Sequence, residues 1–179
     1  AEERRVVLAS LGLPETGYGL TVSSLEPRKR IHRLLDAWKK LPGALRERTP
    51  LVIAGAQGWH NDRLYDSIQS AVHEGWAILL GFVPEQDLPA LYSGARLFVF
   101  PSVYEGFGLP PLEAMASGVP TVVAAESCLE EVTKGAAMVA EPDDIAGFSA
   151  AIERALEDES WRQQAFSSGV QLSSDYSWM

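Results

Sequence analysis

Short apolar runs alternate along this chain with longer segments in which apolar residues recur every three or four positions. The runs predict strands buried on both faces of a parallel sheet, because such strands are apolar throughout. The regular alternation favours an α/β, Rossmann-like fold, a doubly wound parallel sheet of about six strands flanked by helices. The predicted strands are residues 19–24, 51–54, 76–80, 97–100, 121–124 and 136–140.

The segments between the runs predict helices, with stop signals at glycine and proline. Residues 1–16 predict a lead-in helix or linker with Val6, Val7 and Leu11 on one face. A longer helix is predicted to open at Glu26-Pro27 and to end at Pro42-Gly43. The other predicted helices are residues 62–72, capped by Asn61 or Asp62, a short helix at or after Asp87 that reaches Ser93, 110–116, 145–158 and 159–170.

Composition narrows the class of protein. A chain of 179 residues suits one domain, with 46% hydrophobic and 22% charged residues. A net charge of −9 argues against nucleic acid as a partner, since that role needs a basic surface. Cys128 is the only cysteine, so no internal disulfide forms. We expect a cytoplasmic protein without a membrane span, with peripheral attachment at the inner membrane face as an option for a full-length protein.

The stretch from Arg96 to Pro120 carries the strongest chemical signal. A buried strand is followed by a turn containing Gly106 and Gly108, and then by a helix. Two carboxylates, Glu105 and Glu113, bracket this turn near the carboxyl end of the strand, where open α/β sheets bind ligands. Spacing alone equally allows a simple turn flanked by solvated charges.

The run PSVYEGFGLPPLEAMASGVPTVVA resembles the signature of retaining glycosyltransferases with the GT-B fold, glycosyltransferase family 4 or glycosyl transferases group 1. Glu105 and Glu113 match the two acids of its E-x₇-E motif. The likeness extends through SLEPRKRIHRLLDAW, LVIAG, LLGFVPEQDLPALYSGA, EVTKGAAMVAEPD and the final YSW. The resemblance implies that residues 1–179 are the carboxyl-terminal, donor-binding domain, and that the N-terminal acceptor-binding domain is absent from this chain.

The resemblance also implies catalytic roles for Lys29 and Glu105. Lys29 matches the lysine that contacts the donor diphosphate, and Glu105 matches an acid that hydrogen-bonds sugar hydroxyls. Basic residues near a helix start suit phosphate binding in any case. Among its neighbours we count Arg28 as donor-binding, although a solvated surface position is the simpler interpretation of both Arg28 and Arg30. Many family members have Gly-Arg where this chain has Ser23-Ser24, so one phosphate contact is lost and Ser24 takes that place.

Further donor-binding roles follow from the same likeness. The amides of Phe107, Gly108 and Leu109 are implied to face the diphosphate, and Glu113 to accept hydrogen bonds from the ribose hydroxyls. The backbone around Val83 is implied to contact the nucleobase. The three histidines, His32, His60 and His73, show no metal-binding spacing, so no metal site is predicted, and Trp59 and Trp76 are expected to pack rather than bind sugar.

The resemblance implies the transfer of a hexose from a nucleotide sugar to a glycan or lipid-linked acceptor in polysaccharide biosynthesis. The similarity to bacterial mannosyltransferases favours mannose from GDP-mannose, and the GT-B likeness implies no cofactor or metal. The isolated domain is expected to be inactive alone. Two alternatives stay open, a binding module on the same scaffold without turnover and a sugar-nucleotide epimerase. A paired-carboxylate glycosidase is disfavoured, because ribose binding accounts for Glu113.

Overall fold

A six-stranded, wholly parallel sheet forms the centre of the molecule, in the order β3-β2-β1-β4-β5-β6. The computed structural model describes residues 2–15, 17–56 and 62–176. The strands are β1 (Tyr18–Val22), β2 (Leu51–Ala54), β3 (Ala77–Gly81), β4 (Ala95–Phe100), β5 (Thr121–Ala124) and β6 (Met138–Ala140). This confirms the predicted fold class, and all six strands lie within two residues of their predicted bounds.

Helices cover both faces of the sheet. They are α1 (Glu2–Ser10), α2 (Ile31–Lys39), α3 (Gly43–Arg48), α4 (Asp62–His73), α5 (Leu88–Gly94), α6 (Leu109–Ala116), α7 (Cys128–Thr133), α8 (Ile145–Glu157) and α9 (Glu159–Asp175). Short 3₁₀ turns at Pro27–Lys29 and Glu85–Asp87 precede α2 and α5.

Alternating side chains of each strand enter two separate cores. In β2, Leu51 and Ile53 pack towards one face with α2, α3, α4 and α8, whereas Val52 and Ala54 pack towards the other. The second core is shared with α1, α5, α6, α7 and α9. Most strand residues are apolar and buried between the two helical layers. This is why the strands could be predicted from continuous apolar runs.

Two local predictions need correction, and two helices were missed. Helix α1 forms, but its buried residue is Leu8, and Val6 is exposed. The helix predicted from Glu26 is a 3₁₀ turn followed by α2, because Arg30 takes a left-handed conformation with φ of 55° between them. Helices α3 and α7 were not predicted. For α7 the signal was present, since Ser127 caps the helix and Glu130 lies three residues later, the spacing of a capping box.

Other local expectations are met. Trp76 is buried in the first core, and Ile31, Leu34 and Trp38 all lie on the buried face of α2. Some predictions fall outside the described residues. They concern the cap at Asn61, the packing of Trp59, and the positions of His60 and the final Ser177-Trp178. None of the helices in the described part of the chain combines the length and apolarity needed to cross a bilayer.

The last helix is anchored by a charged cap. The Asp158 carboxylate accepts a hydrogen bond of 2.9 Å from the backbone amide of Trp161, which holds the pKa of this carboxyl below its usual value of 3.8. The charged form is therefore favoured in the folded state, and its contribution is complete above the unfolded pKa and is lost as the pH falls through the folded pKa. We expect Asp158→Asn to reduce stability at pH 7, and the difference from the wild type to shrink below about pH 4.

Chemical denaturation of both proteins at pH 7 and pH 3 measures this difference. Asparagine is a comparable neutral cap, so the comparison isolates the charge. A difference that stays constant across this pH range would show that the carboxylate charge does not stabilise α9.

Candidate functional site

The carboxyl ends of β1 and β4 lie side by side in the middle of the sheet. Their connections leave in opposite directions, since β2 and β3 follow on one side and β5 and β6 on the other. This is the topological switch point, the place where doubly wound sheets open a crevice for ligands. The segments after the two strands, residues 23–29 and 101–108, therefore form the walls of a candidate site.

Lys29 lies in the 3₁₀ turn after β1 and is buried, which is unusual for an ammonium group. Its Nζ donates a hydrogen bond to Oε1 of Glu105, from the loop after β4. The same nitrogen lies 5.4 Å from the centre of the Phe100 ring, within range of a cation–π contact. The carboxylate and the ring compensate the desolvation of the ammonium, so the two predicted catalytic residues form one unit.

Glu105 is held by more than Lys29. The hydroxyl of Ser102, which is fully buried, donates to Glu105 Oε1 over 2.7 Å. On the other carboxylate oxygen, Arg28 approaches to 3.9 Å. A glutamate with partners at both oxygens has little rotamer freedom, so its carboxylate has a fixed position at the switch point.

A second carboxylate, Glu26, joins the wall formed after β1. It accepts 2.6 Å from the Ser24 hydroxyl and 2.8 Å from Arg28 Nε. These two hydrogen bonds, with Ser24 the larger cause, hold the pKa of Glu26 below its usual value. Arg28 also donates to the carbonyl of Tyr104, over 3.1 Å, and thus connects the two walls. Two of the predicted donor-binding residues are therefore already engaged by an internal anion.

The glycine turn leads into α6 through a left-handed residue. Gly108 has φ of 84°, and a Cβ atom there would lie 2.4 Å from Leu129 Cδ2 of α7. Both features require glycine at this position. The ring of Phe107 packs edge-on against Tyr176, with centroids 5.8 Å apart.

Two backbone N–H groups at the start of α6 have no partner among the described residues. Pro110 and Pro111 have no N–H, and the amides of Gly108 and Leu109 have no hydrogen-bond partner within the described ranges. These two amides, with the positive end of the helix dipole behind them, suit an anionic ligand.

Glu113 lies on the exposed side of α6 and accepts 2.8 Å from the hydroxyl of Tyr92. Burial raises the pKa of Tyr92, and the nearby Glu113 carboxylate raises it further. Helix α5, which carries Tyr92, begins soon after the loop that contains Val83. The packing of α5 on α6 therefore brings the segment around Val83 to the same side of the site as Glu113.

Val83 itself has a buried side chain in the second core, whereas the preceding Phe82 is 76% exposed. Val83 follows β3, which is two places from β1 in the sheet. At ordinary strand spacing, these two strands are about 10 Å apart. The Val83 side chain is packed in the core, so it is not exposed to a ligand.

The structure thus brings most of the predicted residues together. Ser24, Arg28, Lys29 and Glu105 share hydrogen bonds or ion pairs at the switch point, and Gly108 and Leu109 follow on the Glu105 loop. The residues that sequence reasoning missed are Glu26, Tyr92 and Ser102. Within residues 2–15, 17–56 and 62–176, no three His, Cys, Asp or Glu residues are grouped to hold a metal ion.

Comparison with known proteins identifies the family. A model of the family described as glycosyl transferases group 1 matches residues 9–169. The chain belongs to the glycosyl transferases group 1 family. It is 45% identical over 172 residues to an O-antigen chain mannosyltransferase B of Escherichia coli, which covers 96% of this chain and 45% of that protein. A serotype-specific mannosyltransferase of Escherichia coli is 36% identical over 161 residues, covering 89% of this chain and 20% of its own length.

Solved structures of GT-B glycosyltransferases share the fold. A sucrose-phosphate synthase from Thermosynechococcus elongatus superposes with a TM-score of 0.81 at 26% identity, covering 96% of this chain and 44% of that one. HepE of Anabaena, solved in complex with UDP and glucose, gives a TM-score of 0.82 at 22% identity over 97% and 48% of the two chains. This member of the glycosyl transferases group 1 family spans less than half the length of these relatives.

Proposed function

We propose that this chain is the nucleotide-sugar donor-binding domain of a retaining glycosyltransferase. The observation that carries the proposal is the ion pair between the buried Lys29 and the partly buried Glu105 at the switch point, beside the glycine turn that opens α6. A cation and free helix amides suit a diphosphate, and a fixed carboxylate beside them suits sugar hydroxyls. The mannosyltransferase relatives support mannose as the sugar. We propose GDP-mannose as its donor.

The proposed mechanism uses Lys29 to stabilise the leaving group. As the bond between the anomeric carbon and the phosphate oxygen breaks, negative charge grows on the diphosphate. An ammonium has three N–H donors, so Lys29 can keep its bond to Glu105 and donate to a phosphate oxygen at the same time. The amides of Gly108 and Leu109 add two fixed donors, and Phe107 precedes them on the same turn.

Retention of configuration needs no separate base from this domain. In the proposed step the departing phosphate oxygen takes the proton of the acceptor hydroxyl, and the acceptor oxygen bonds to the anomeric carbon on the same face. Glu105, held by Lys29 and Ser102, orients the sugar by accepting hydrogen bonds from its hydroxyls. Because Lys29, Arg28 and the helix amides supply positive charge, we propose that transfer proceeds without a metal ion.

The acceptor is proposed to bind a second domain. The relatives are more than twice as long as this chain, and we infer that an N-terminal domain supplies the site for a glycan or lipid-linked acceptor in polysaccharide synthesis. This chain alone then binds the donor but does not turn it over. We also propose that the protein takes its nucleotide sugar from the cytoplasm, and that the full-length protein contacts the inner membrane face peripherally.

Calorimetric titration with GDP, UDP, ADP and dTDP in separate runs, with and without Mg²⁺, tests the donor and its base. We expect one diphosphate to bind preferentially and magnesium to change its affinity little. Absence of binding by all four to the folded chain would overturn the proposal that this domain alone holds the donor. Preference for UDP would overturn GDP-mannose while leaving the donor-binding function intact.

Glu113→Gln tests the ribose assignment. The amide is close in size but replaces an acceptor-only group by one that also donates, so we expect the bound nucleoside diphosphate to lose about five- to tenfold in affinity. Inorganic diphosphate should bind unchanged. Glu153→Gln, on the exposed face of α8, is the matched control. Equal losses for nucleotide and inorganic diphosphate would contradict a ribose contact.

A further inference from the structure

Tyr92 is a buried aromatic residue with one polar contact in the candidate site. Its side chain belongs to the second core, and its ring meets Phe98 edge-on with centroids 5.5 Å apart. The hydroxyl reaches out of this core to Glu113 Oε2 over 2.8 Å. A ring packed in this way has a fixed direction, so the hydroxyl marks a fixed point beside α6.

Tyr92 is the donor of this hydrogen bond and Glu113 is the acceptor. An ionised carboxylate only accepts, and the pKa of Tyr92 is raised by burial and by the neighbouring Glu113, so the phenol keeps its proton. Tyr92 therefore donates to Glu113 throughout the neutral range. The buried hydroxyl in turn needs this acceptor, because an unpaired polar group in a core is costly.

The Glu113 carboxylate can accept more hydrogen bonds than the one from Tyr92. It lies on the exposed side of α6, where a glutamate normally samples several rotamers. In the described part of the chain, Tyr92 is the one donor to its carboxylate, and it occupies Oε2. A carboxylate offers about four lone-pair sites, so two further hydroxyl donors can be accommodated without displacing Tyr92.

The position of α5 relates this carboxylate to the rest of a nucleotide. Helix α5 follows the loop of Val83 after one 3₁₀ turn, and it carries Tyr92 against α6. A ligand with its base at the Val83 loop and its phosphates at the start of α6 has its sugar between them. Glu113 lies one turn after the start of α6, where Tyr92 of α5 contacts it.

We propose that Tyr92 is a positioning residue that fixes the Glu113 carboxylate for the vicinal hydroxyls of a ribose. This role rests on the proposed donor-binding function and adds a residue on another helix to it. Tyr92 acts through Glu113 and does not itself touch the ligand. Because the carboxylate is ordered before the nucleotide arrives, less conformational entropy is lost on binding.

Tyr92→Phe tests this role with two ligands. The first probe is the ribonucleotide, GDP, UDP or ADP, that binds the wild-type chain most tightly. The second probe is the 2′,3′-dideoxy analogue of that ribonucleotide. We expect Tyr92→Phe to lose about three- to tenfold in affinity for the ribonucleotide and to bind the dideoxy analogue within about twofold of the wild type. Only a ligand with the two hydroxyls uses the oriented carboxylate.

Tyr18→Phe is the matched control. Tyr18 lies in the same core, is fully buried, and donates its hydroxyl to the carbonyl of Leu91 over 2.6 Å. Tyr18→Phe also removes a phenol hydroxyl from this core, but that hydroxyl has no contact with Glu113. We expect it to leave the ratio of ribonucleotide to dideoxynucleotide affinity unchanged.

Several results would overturn the role of Tyr92. Equal losses for both ligands would mean that Tyr92 only supports the fold, and an unchanged ribonucleotide affinity would mean that it does not orient Glu113. A wild-type chain that binds both ligands equally would remove the ribose contact itself. A folded wild-type chain that binds no nucleotide would overturn the proposed function together with this inference.

A second measurement covers the case in which Tyr92→Phe does not fold. In the wild-type protein, proton NMR follows the exchange of the Tyr92 hydroxyl with water. The ribonucleotide, bound to Glu113 through its two hydroxyls, should slow this exchange by limiting the opening of the Tyr92–Glu113 hydrogen bond, and the dideoxy analogue should not. Equal effects of the two ligands would contradict the inference.

Discussion

Lys29→Met is expected to weaken binding of the nucleoside diphosphate by about 10- to 100-fold, the range of one charge-assisted hydrogen bond. Lys29 is the buried cation of the switch point, and its ammonium is fixed by Glu105 and the Phe100 ring. Methionine keeps much of the length and apolar surface of the side chain but cannot neutralise a phosphate. Calorimetric titration of both proteins measures the loss.

The same change leaves Glu105 without its main partner, so it must also lower stability. A partly buried carboxylate that loses its counter-ion costs on the order of 1–3 kcal/mol, less than a fully buried one. The double variant Lys29→Met, Glu105→Gln removes the stranded charge, and we expect it to regain much of the stability but none of the diphosphate affinity. This separates a binding role from a structural one.

Lys39→Met is the control for charge. Lys39 forms an exposed ion pair with Glu74, 3.3 Å long, at the end of α2. Such pairs contribute little, so both affinity and stability should stay close to wild type. Diphosphate affinity that survives Lys29→Met would remove Lys29 from the proposed mechanism.

Gly108→Ala is expected to lower the free energy of unfolding by about 2–4 kcal/mol, the sum of left-handed backbone strain and overpacking. The new Cβ would lie 2.4 Å from Leu129 Cδ2, and Leu129 is fully buried, so it cannot simply rotate into solvent. The alternative is a shift of the turn away from α7, which would displace the amides at the start of α6. Chemical denaturation and nucleotide titration should therefore both show a loss.

Gly106→Ala is the control from the same turn. A Cβ at Gly106 would have no heavy atom within 4 Å, and its φ lies outside the left-handed region. We expect its stability within about 0.5 kcal/mol of the wild type, the usual range for surface changes. Similar losses in both variants would show that the turn is sensitive to any side chain, and that the contact with Leu129 is not the cause.

The sheet was predictable because its physics is local to each strand. Runs such as Leu97–Phe100 are apolar at every position, and burial between two helical layers requires this. The helix boundary at Arg30 was not, since few sequence signals predict a left-handed arginine. Helix α3 lacked an apolar repeat, and α7 is so short that its capping signal was the main clue.

The site was predictable in part. Lys29, Glu105 and Glu113 were predicted from the family resemblance, and the structure places the first two in contact although they lie 76 positions apart in the sequence. Ser102 and Tyr92 were missed because their roles depend on packing. A serine after a strand and a tyrosine on a short helix are ordinary, and only the fold brings each hydroxyl to a carboxylate. Glu26 was missed because its partners, Ser24 and Arg28, had been assigned to the ligand.

The placement of β1 beside β4 has a consequence for synthesis on the ribosome. A growing chain that ends after β3 already has β1, β2 and β3, and it contains Ser24, Arg28 and Lys29 but neither Glu105 nor Glu113. Such an intermediate leaves the β4 edge of β1 unpaired and Lys29 without its counter-ion. If the proposed donor site is right, nucleotide affinity arises only when the second half of the sheet has docked. A nucleotide bound there stabilises the complete domain over every partly folded form.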